Sequence, residues 1–168
     1  MAKLPDYRLQ VLFEMREKKK KESEDEYAEA QKAKIAEEKK LEEMKLELER
    51  MKQAREDKRL EYADRSAKGE FNVTQMQGNM RHLDRMKEKE GAYKMDMERQ
   101  KDAIRAAERV VDEKKELMIL ATQDFKALEK HKETWTKEVK REIQLKEEDV
   151  MEDVAQTIFL ARQRNNNG

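Results

Sequence analysis

The sequence predicts an all-α protein: two long helices folded back on each other as an antiparallel coiled-coil hairpin, the second helix longer than the first. Three observations carry this. Charged residues make up 46% of the 168 residues against 36% hydrophobic ones, too little apolar material for an ordinary globular core but enough for a stripe along exposed helices. One heptad register holds across residues 76–139 without a proline. And the only stretch where helix signals lapse for several residues contains Gly69. Without the periodicity, the same composition would suggest disorder.

The strongest element is the second helix. Its first seam position reads Met76, Leu83, Glu90, Met97, Ile104, Val111, Met118, Phe125, Lys132, Val139, and its second Asn79, Met86, Tyr93, Gln100, Ala107, Lys114, Ala121, Leu128, Trp135. Steps of three and four residues place these on one side of a helix, and a strict period of seven asks for a partner helix wound in a left-handed supercoil.

The first helix supplies that partner. Pro5, the sole proline, suits a helix start. A second seam follows: Leu9, Phe13, Arg16, Lys20, Ser23, Tyr27, Ala30, Lys34, Glu37, Leu41, Met44, Leu48, Met51, Arg55, Lys58, Tyr62. It is the more polar of the two, and Lys and Arg stems can cover facing apolar surface while their charges reach water. The register that matches seam to seam sets Phe13 opposite Leu128, Met44 opposite Met97 and Arg55 opposite Met86, each layer keeping at least one apolar member.

The expected boundaries are one hairpin domain over residues 1–168: helix 5–66, bend 67–73, helix 74–163. Gly69 is placed for a left-handed C-cap, and Thr74 with Gln77 has the spacing of a capping box. Gly78 and Gly91 inside the second arm each cost about 1 kcal/mol relative to alanine, which makes the end near the bend the looser one.

The arms are unequal. Past residue 140 the second helix outruns the N-terminus, and after a four-residue stutter its stripe continues as Ile143, Val150, Val154, Thr157 and Ala161, with Ile158-Phe159-Leu160 beside it. A seam without a partner in its own chain marks a contact surface for another protein or for a second copy. Trp135 is expected at the start of this overhang, half covered and facing only Asp6.

Several function classes are excluded or left unsupported. Equal numbers of basic and acidic residues, 39 each, give no net field toward nucleic acid or an anionic membrane. There is no cysteine, hence no disulfide framework or thiol chemistry. No apolar run approaches the ~20 residues of a membrane span, and the start lacks a secretory signal, so a cytoplasmic protein without membrane insertion is expected. His82 and His131 have no ligand partners at a convergent spacing, and the carboxylates lie on solvated faces. No metal, no cofactor and no enzymatic activity are expected.

The segment Phe125-Lys126-Ala127-Leu128-Glu129-Lys130, then Glu142, then Glu152-Asp153-Val154-Ala155 with Phe159, resembles the C-terminal helix of the FliJ/YscO stalk proteins of flagellar and type III secretion export machines. Tyr7-Arg8-Leu9-Gln10-Val11-Leu12 resembles the family's start, and His131-Lys132-x-x-Trp135 is more similar to the injectisome branch. The resemblance implies a non-enzymatic central stalk whose terminal end enters the pore of a hexameric export ATPase, while the end near the bend contacts the cytoplasmic ring of the export gate; some members bind secretion chaperones. It assigns ATPase binding to Trp135, Val139, Ile143, Val150, Val154, Ile158 and Phe159, and gate binding to Asn79, Leu83, Met86 and Glu90, where Asn79 replaces the family's aromatic. Two other readings share the features: a scaffold coiled coil acting as a parallel dimer, against which the bend counts, and a holdase for secreted cargo, supported by the methionine-rich seam.

Overall fold

In a computed structural model, residues 4–166 are described. They form two helices, α1 (Gln10–Ala67, 58 residues) and α2 (Val73–Asn166, 94 residues), with no strand among the described residues. The helices pack against each other, and α2 is the longer.

Of the seam positions predicted on both helices, all are buried or half-buried except Leu9, just before α1, and Met76, in the first turn of α2. Side chains that face each other interdigitate instead of meeting head-on: Phe13 lies against Phe125 (ring centroids 5.1 Å apart) and under the ammonium of Lys132 (4.2 Å from its ring centroid). These two flank Leu128, the residue expected opposite Phe13, as a knob set into a hole requires.

The chain separates into two compact units. The first joins residues up to Ser23 with those from Leu117 onward. Its most covered residues are Tyr7, Ala121 and Phe125; Lys20 places its ammonium 5.2 Å from the Phe125 ring centroid, Lys132 reaches the Gln10 amide oxygen at 2.9 Å, and Arg16 pairs with Asp124. Here α1 starts later than expected. Pro5 and Asp6 are not helical, and the Tyr7 carbonyl accepts the Gln10 N–H at 3.0 Å. The reason is tertiary: Tyr7 turns its ring into α2, packing at a tilt against Trp135 with ring centroids 5.0 Å apart and sharing a 2.6 Å hydrogen bond between its hydroxyl and Nδ1 of His131.

The second unit, Glu24–Glu116, buries Ala30, Leu48 and Met97 together with two polar groups, Glu90 and Gln100. Both polar groups are answered across the pair. Arg55 Nε donates to Glu90 at 2.7 Å, and the Gln100 amide donates to the Glu37 carbonyl at 3.0 Å. No buried side-chain nitrogen or oxygen among the described residues lacks a partner, which is what lets a seam this polar persist. Lys34 bridges Glu38 (3.6 Å) and Glu108 (3.5 Å), and Lys114 reaches Glu26 at 2.6 Å.

The bend is built from backbone bonds. Gly69 adopts φ 72°, its N–H bonds to the Ser66 carbonyl at 3.0 Å and that of Glu70 to the Arg65 carbonyl at 3.1 Å. This is a Schellman motif. The hydrophobic contact that often accompanies it is replaced by an ion pair, Arg65 to Glu70 at 2.7 Å, and the Arg65 guanidinium covers Phe71 (4.7 Å), whose ring meets Tyr62 edge-on. The capping box lies two residues before the expected one. Asn72 Oδ1 accepts the Gln75 N–H at 2.8 Å, and the Asn72 N–H donates to Gln75 Oε1 at 3.0 Å. Thr74 and Gln77 already lie inside the helix.

Candidate partner-binding surfaces

Coverage of the α2 stripe ends at Ile143. Trp135, Val139 and Ile143 are half-buried, while every residue from 144 to 166 is exposed. Among them Val150, Val154, Ile158 and Phe159 expose between 49% and 62% of their surface, a large fraction for apolar side chains arranged at helical spacing. The seven residues assigned to ATPase binding thus divide: the first three are partly covered, the last four are open.

Trp135 is the clearest correction. It does not face Asp6, which is exposed; it packs on Tyr7. Because α1 begins at Gln10 and not at residue 5, the preceding segment is free to bring its tyrosine ring where a helix would have placed an aspartate. Sequence periodicity missed Tyr7 because it lies outside the heptad; an aromatic two residues beyond the only proline was the available signal.

A band of carboxylates, Glu147, Glu148, Asp149, Glu152 and Asp153, precedes Ile158-Phe159-Leu160, and Arg162 and Arg164 follow. Within the overhang Gln144 donates to Glu148 at 2.8 Å and the Thr157 hydroxyl to the Asp153 carbonyl at 2.8 Å. Both bonds are internal to the helix, so they leave the apolar side chains open.

Near the bend, Asn79, Leu83 and Met86 are half-buried and Glu90 is 4% exposed. All four lie on the side of α2 that faces α1. Glu90 is engaged by Arg55, whose guanidinium is held above its ordinary pKa by the hydrogen bond and charge of that carboxylate. A shallow hollow beside them is lined by Tyr62, Phe71, Met76, Asn79, Met80 and Leu83; Phe71 was not singled out by the heptads because it belongs to the bend.

His82 lies beside Tyr62 and His131 on Tyr7, and no group of three or more potential metal ligands exists among the described residues. No described helix is long and apolar enough to cross a membrane.

The YscO-like protein family matches residues 4–165. The chain belongs to the YscO-like family. A solved structure described as a YscO homolog, CT670 from Chlamydia trachomatis, superposes with a TM-score of 0.73 at 16% identity, covering 95% of this chain and 98% of that one. At that identity the likeness is one of fold. No curated protein matches. Membership in the YscO-like family makes the chain a stalk-type coiled-coil protein of type III secretion, in a family of structural components of the secretion apparatus.

Proposed function

We propose that the chain is a single hairpin domain acting as the non-enzymatic central stalk of a type III export ATPase at the cytoplasmic face of the apparatus. The overhang enters the pore of the hexamer and promotes ATP turnover, and the end near the bend links the ATPase to the cytoplasmic ring of the export gate; secretion chaperones are a third class of partner. The observation that carries this reading is the exposed stripe Val150, Val154, Ile158, Phe159 beyond the last residue that α2 covers within its own chain. A membrane-anchored or catalytic role has no comparable support, whereas a family of secretion stalks accounts for a helix that outruns its partner.

Trp135, Val139 and Ile143 extend the same stripe toward the paired region, so the ATPase contact grades from an open tip into the packed hairpin. On the gate side, Asn79, Leu83 and Met86 are the residues a partner reaches from the edge of the seam, with Glu90 holding the seam closed behind them through Arg55.

The test is ATP turnover by the cognate hexamer against stalk concentration. The pair Val154→Asp, Ile158→Asp is expected to weaken activation at least tenfold, equivalent to about 1.4 kcal/mol, with the helix signal in circular dichroism nearly unchanged because both positions are exposed. Full activation by this variant would move the ATPase contact elsewhere.

A further inference from the structure

The overhang is complementary to itself when two copies run antiparallel. Its charge is strongly graded along the helix: five carboxylates lie between positions 147 and 153, and arginines stand at 162 and 164. Four of its apolar residues fall at heptad steps, Met151, Val154, Ile158 and Ala161, all exposed along with every neighbour from 144 to 166. A second helix that covers this stripe runs beside Glu148 and Arg162, which flank it.

We propose that the occupant is a second copy of this chain, paired through residues 147–165 of each overhang in antiparallel register. Val154 of one copy faces the partner's Ile158, and Met151 faces the partner's Ala161. Flanking this seam, Glu148 runs alongside the partner's Arg162, while Glu147, one step further along the seam itself, comes within reach of the partner's Arg164; the dyad repeats both contacts. The hydrogen bond that Glu148 accepts from Gln144 is neutral and leaves its charge to be met. A parallel pair is disfavoured, since it sets Glu147 of one copy against Glu147 of the other in the seam, and like charges across a coiled coil destabilise it. Antiparallel pairing covers Met151, Val154, Ile158 and Ala161 and answers Glu148 with Arg162 on both sides of the dyad.

The contact is short, and a paired segment of this length stays below the ~1,200 Å² of stable interfaces. The dimer is therefore reversible and salt-sensitive. It hides Val154 and Ile158 from water while the overhang has no other protein to enter. This does not depend on the identity of that other protein, and the experiment below contains none.

Sedimentation of the full chain from micromolar to millimolar concentration reads the association directly, with circular dichroism as the folding control. The wild type is expected to dimerise on concentration and to dissociate on dilution or added salt. Two charge variants, Arg162→Glu with Arg164→Glu and Glu147→Lys with Glu148→Lys, should each associate at least tenfold more weakly alone. Mixed in equal amounts they should form heterodimers, because every reversed contact is then complementary again. A wild type that stays monomeric to millimolar concentration overturns the proposal. So does a dimer that both variants form as well as the wild type, or variants whose mixture shows no recovery.

Discussion

Tyr7 clasps Trp135. Their ring centroids lie 5.0 Å apart at 52°, and the Tyr7 hydroxyl shares a 2.6 Å hydrogen bond with His131 one turn earlier on α2, so a residue outside any helix fixes the paired end of the hairpin. Trp135 is the only tryptophan, and its emission reports this contact without a label. Tyr7→Ala should shift that emission to the red and cost about 1 kcal/mol from the lost aromatic pair, measured by urea unfolding. An unchanged spectrum would mean the clasp is not closed in solution.

The seam register can be tested covalently, since the chain has no cysteine of its own. Met44→Cys with Met97→Cys joins two seam positions, half-buried and buried, within the Glu24–Glu116 unit. Mild oxidation is expected to give an intramolecular disulfide, while Met44→Cys with Ile104→Cys, displaced by a heptad, should not react. Equal reactivity of the two pairs would contradict the packing.

Glycines at three positions are expected to respond in opposite senses. Gly78 and Gly91 are helical with nothing within 4 Å of an added Cβ, so alanine at each should stabilise by about 1 kcal/mol. Gly69 also has open space but sits at φ +72°, where alanine is strained by roughly 1 kcal/mol or more. Denaturant midpoints of the three single variants, compared at constant slope, distinguish the outcomes.

Arg55 and Glu90 form a cross-helix pair with one partner nearly sealed from water, the Glu90 side chain being 6% exposed. Arg55→Met strands that carboxylate and should lower the thermal midpoint, whereas Arg55→Met with Glu90→Met should recover it, because an apolar layer replaces the pair without leaving a charge behind. A double variant as unstable as the single one would show that the bond itself, and not the avoidance of a stranded charge, holds this layer.

Near the bend, hydrogen bonds from Arg59 and Lys58 hold the Glu56 and Glu61 carboxyls below their ordinary range. A depressed carboxyl pKa contributes stability that is complete above 4.5 and is lost as pH falls through the lowered value. The raised pKa of Lys58, due first to its hydrogen bond with Glu61, acts at the other limit: its contribution is complete below 10.5 and fades as pH rises beyond it. A pH titration followed by circular dichroism should show the bend-proximal helix weakening at both extremes, modestly, because all these side chains are substantially exposed.

Helix type, pairing sense and seam membership were legible because a period of seven repeated over many turns is redundant: no single polar residue, not even Glu90 or Lys132, could hide it. Local endings were harder. Both Asn72-x-x-Gln75 and Thr74-x-x-Gln77 satisfy the capping-box pattern; the Schellman turn at Gly69 decides between them by delivering the chain to Asn72 ready to cap. The α1 start was misplaced for a related reason, since nothing local to Pro5 reveals that Tyr7 will be drawn onto a histidine and a tryptophan over a hundred positions away. The overhang could be read from the unequal arms; the position at which coverage ceases, Ile143, is a finding of the structure.

The unaccompanied stretch from 144 to 166 has a kinetic consequence. Its helical bonds are supported from one side only, by propagation out of the packed region, without the tertiary packing that supplies most helical stability. The free energy of opening should fall toward zero along it, so amide hydrogens ought to exchange progressively faster from Ile143 to the tip. A segment that stiffens on contact spends part of its binding free energy on its own ordering, which favours quick departure over tenacious hold. Brevity of residence follows from the same geometry that leaves the helix bare.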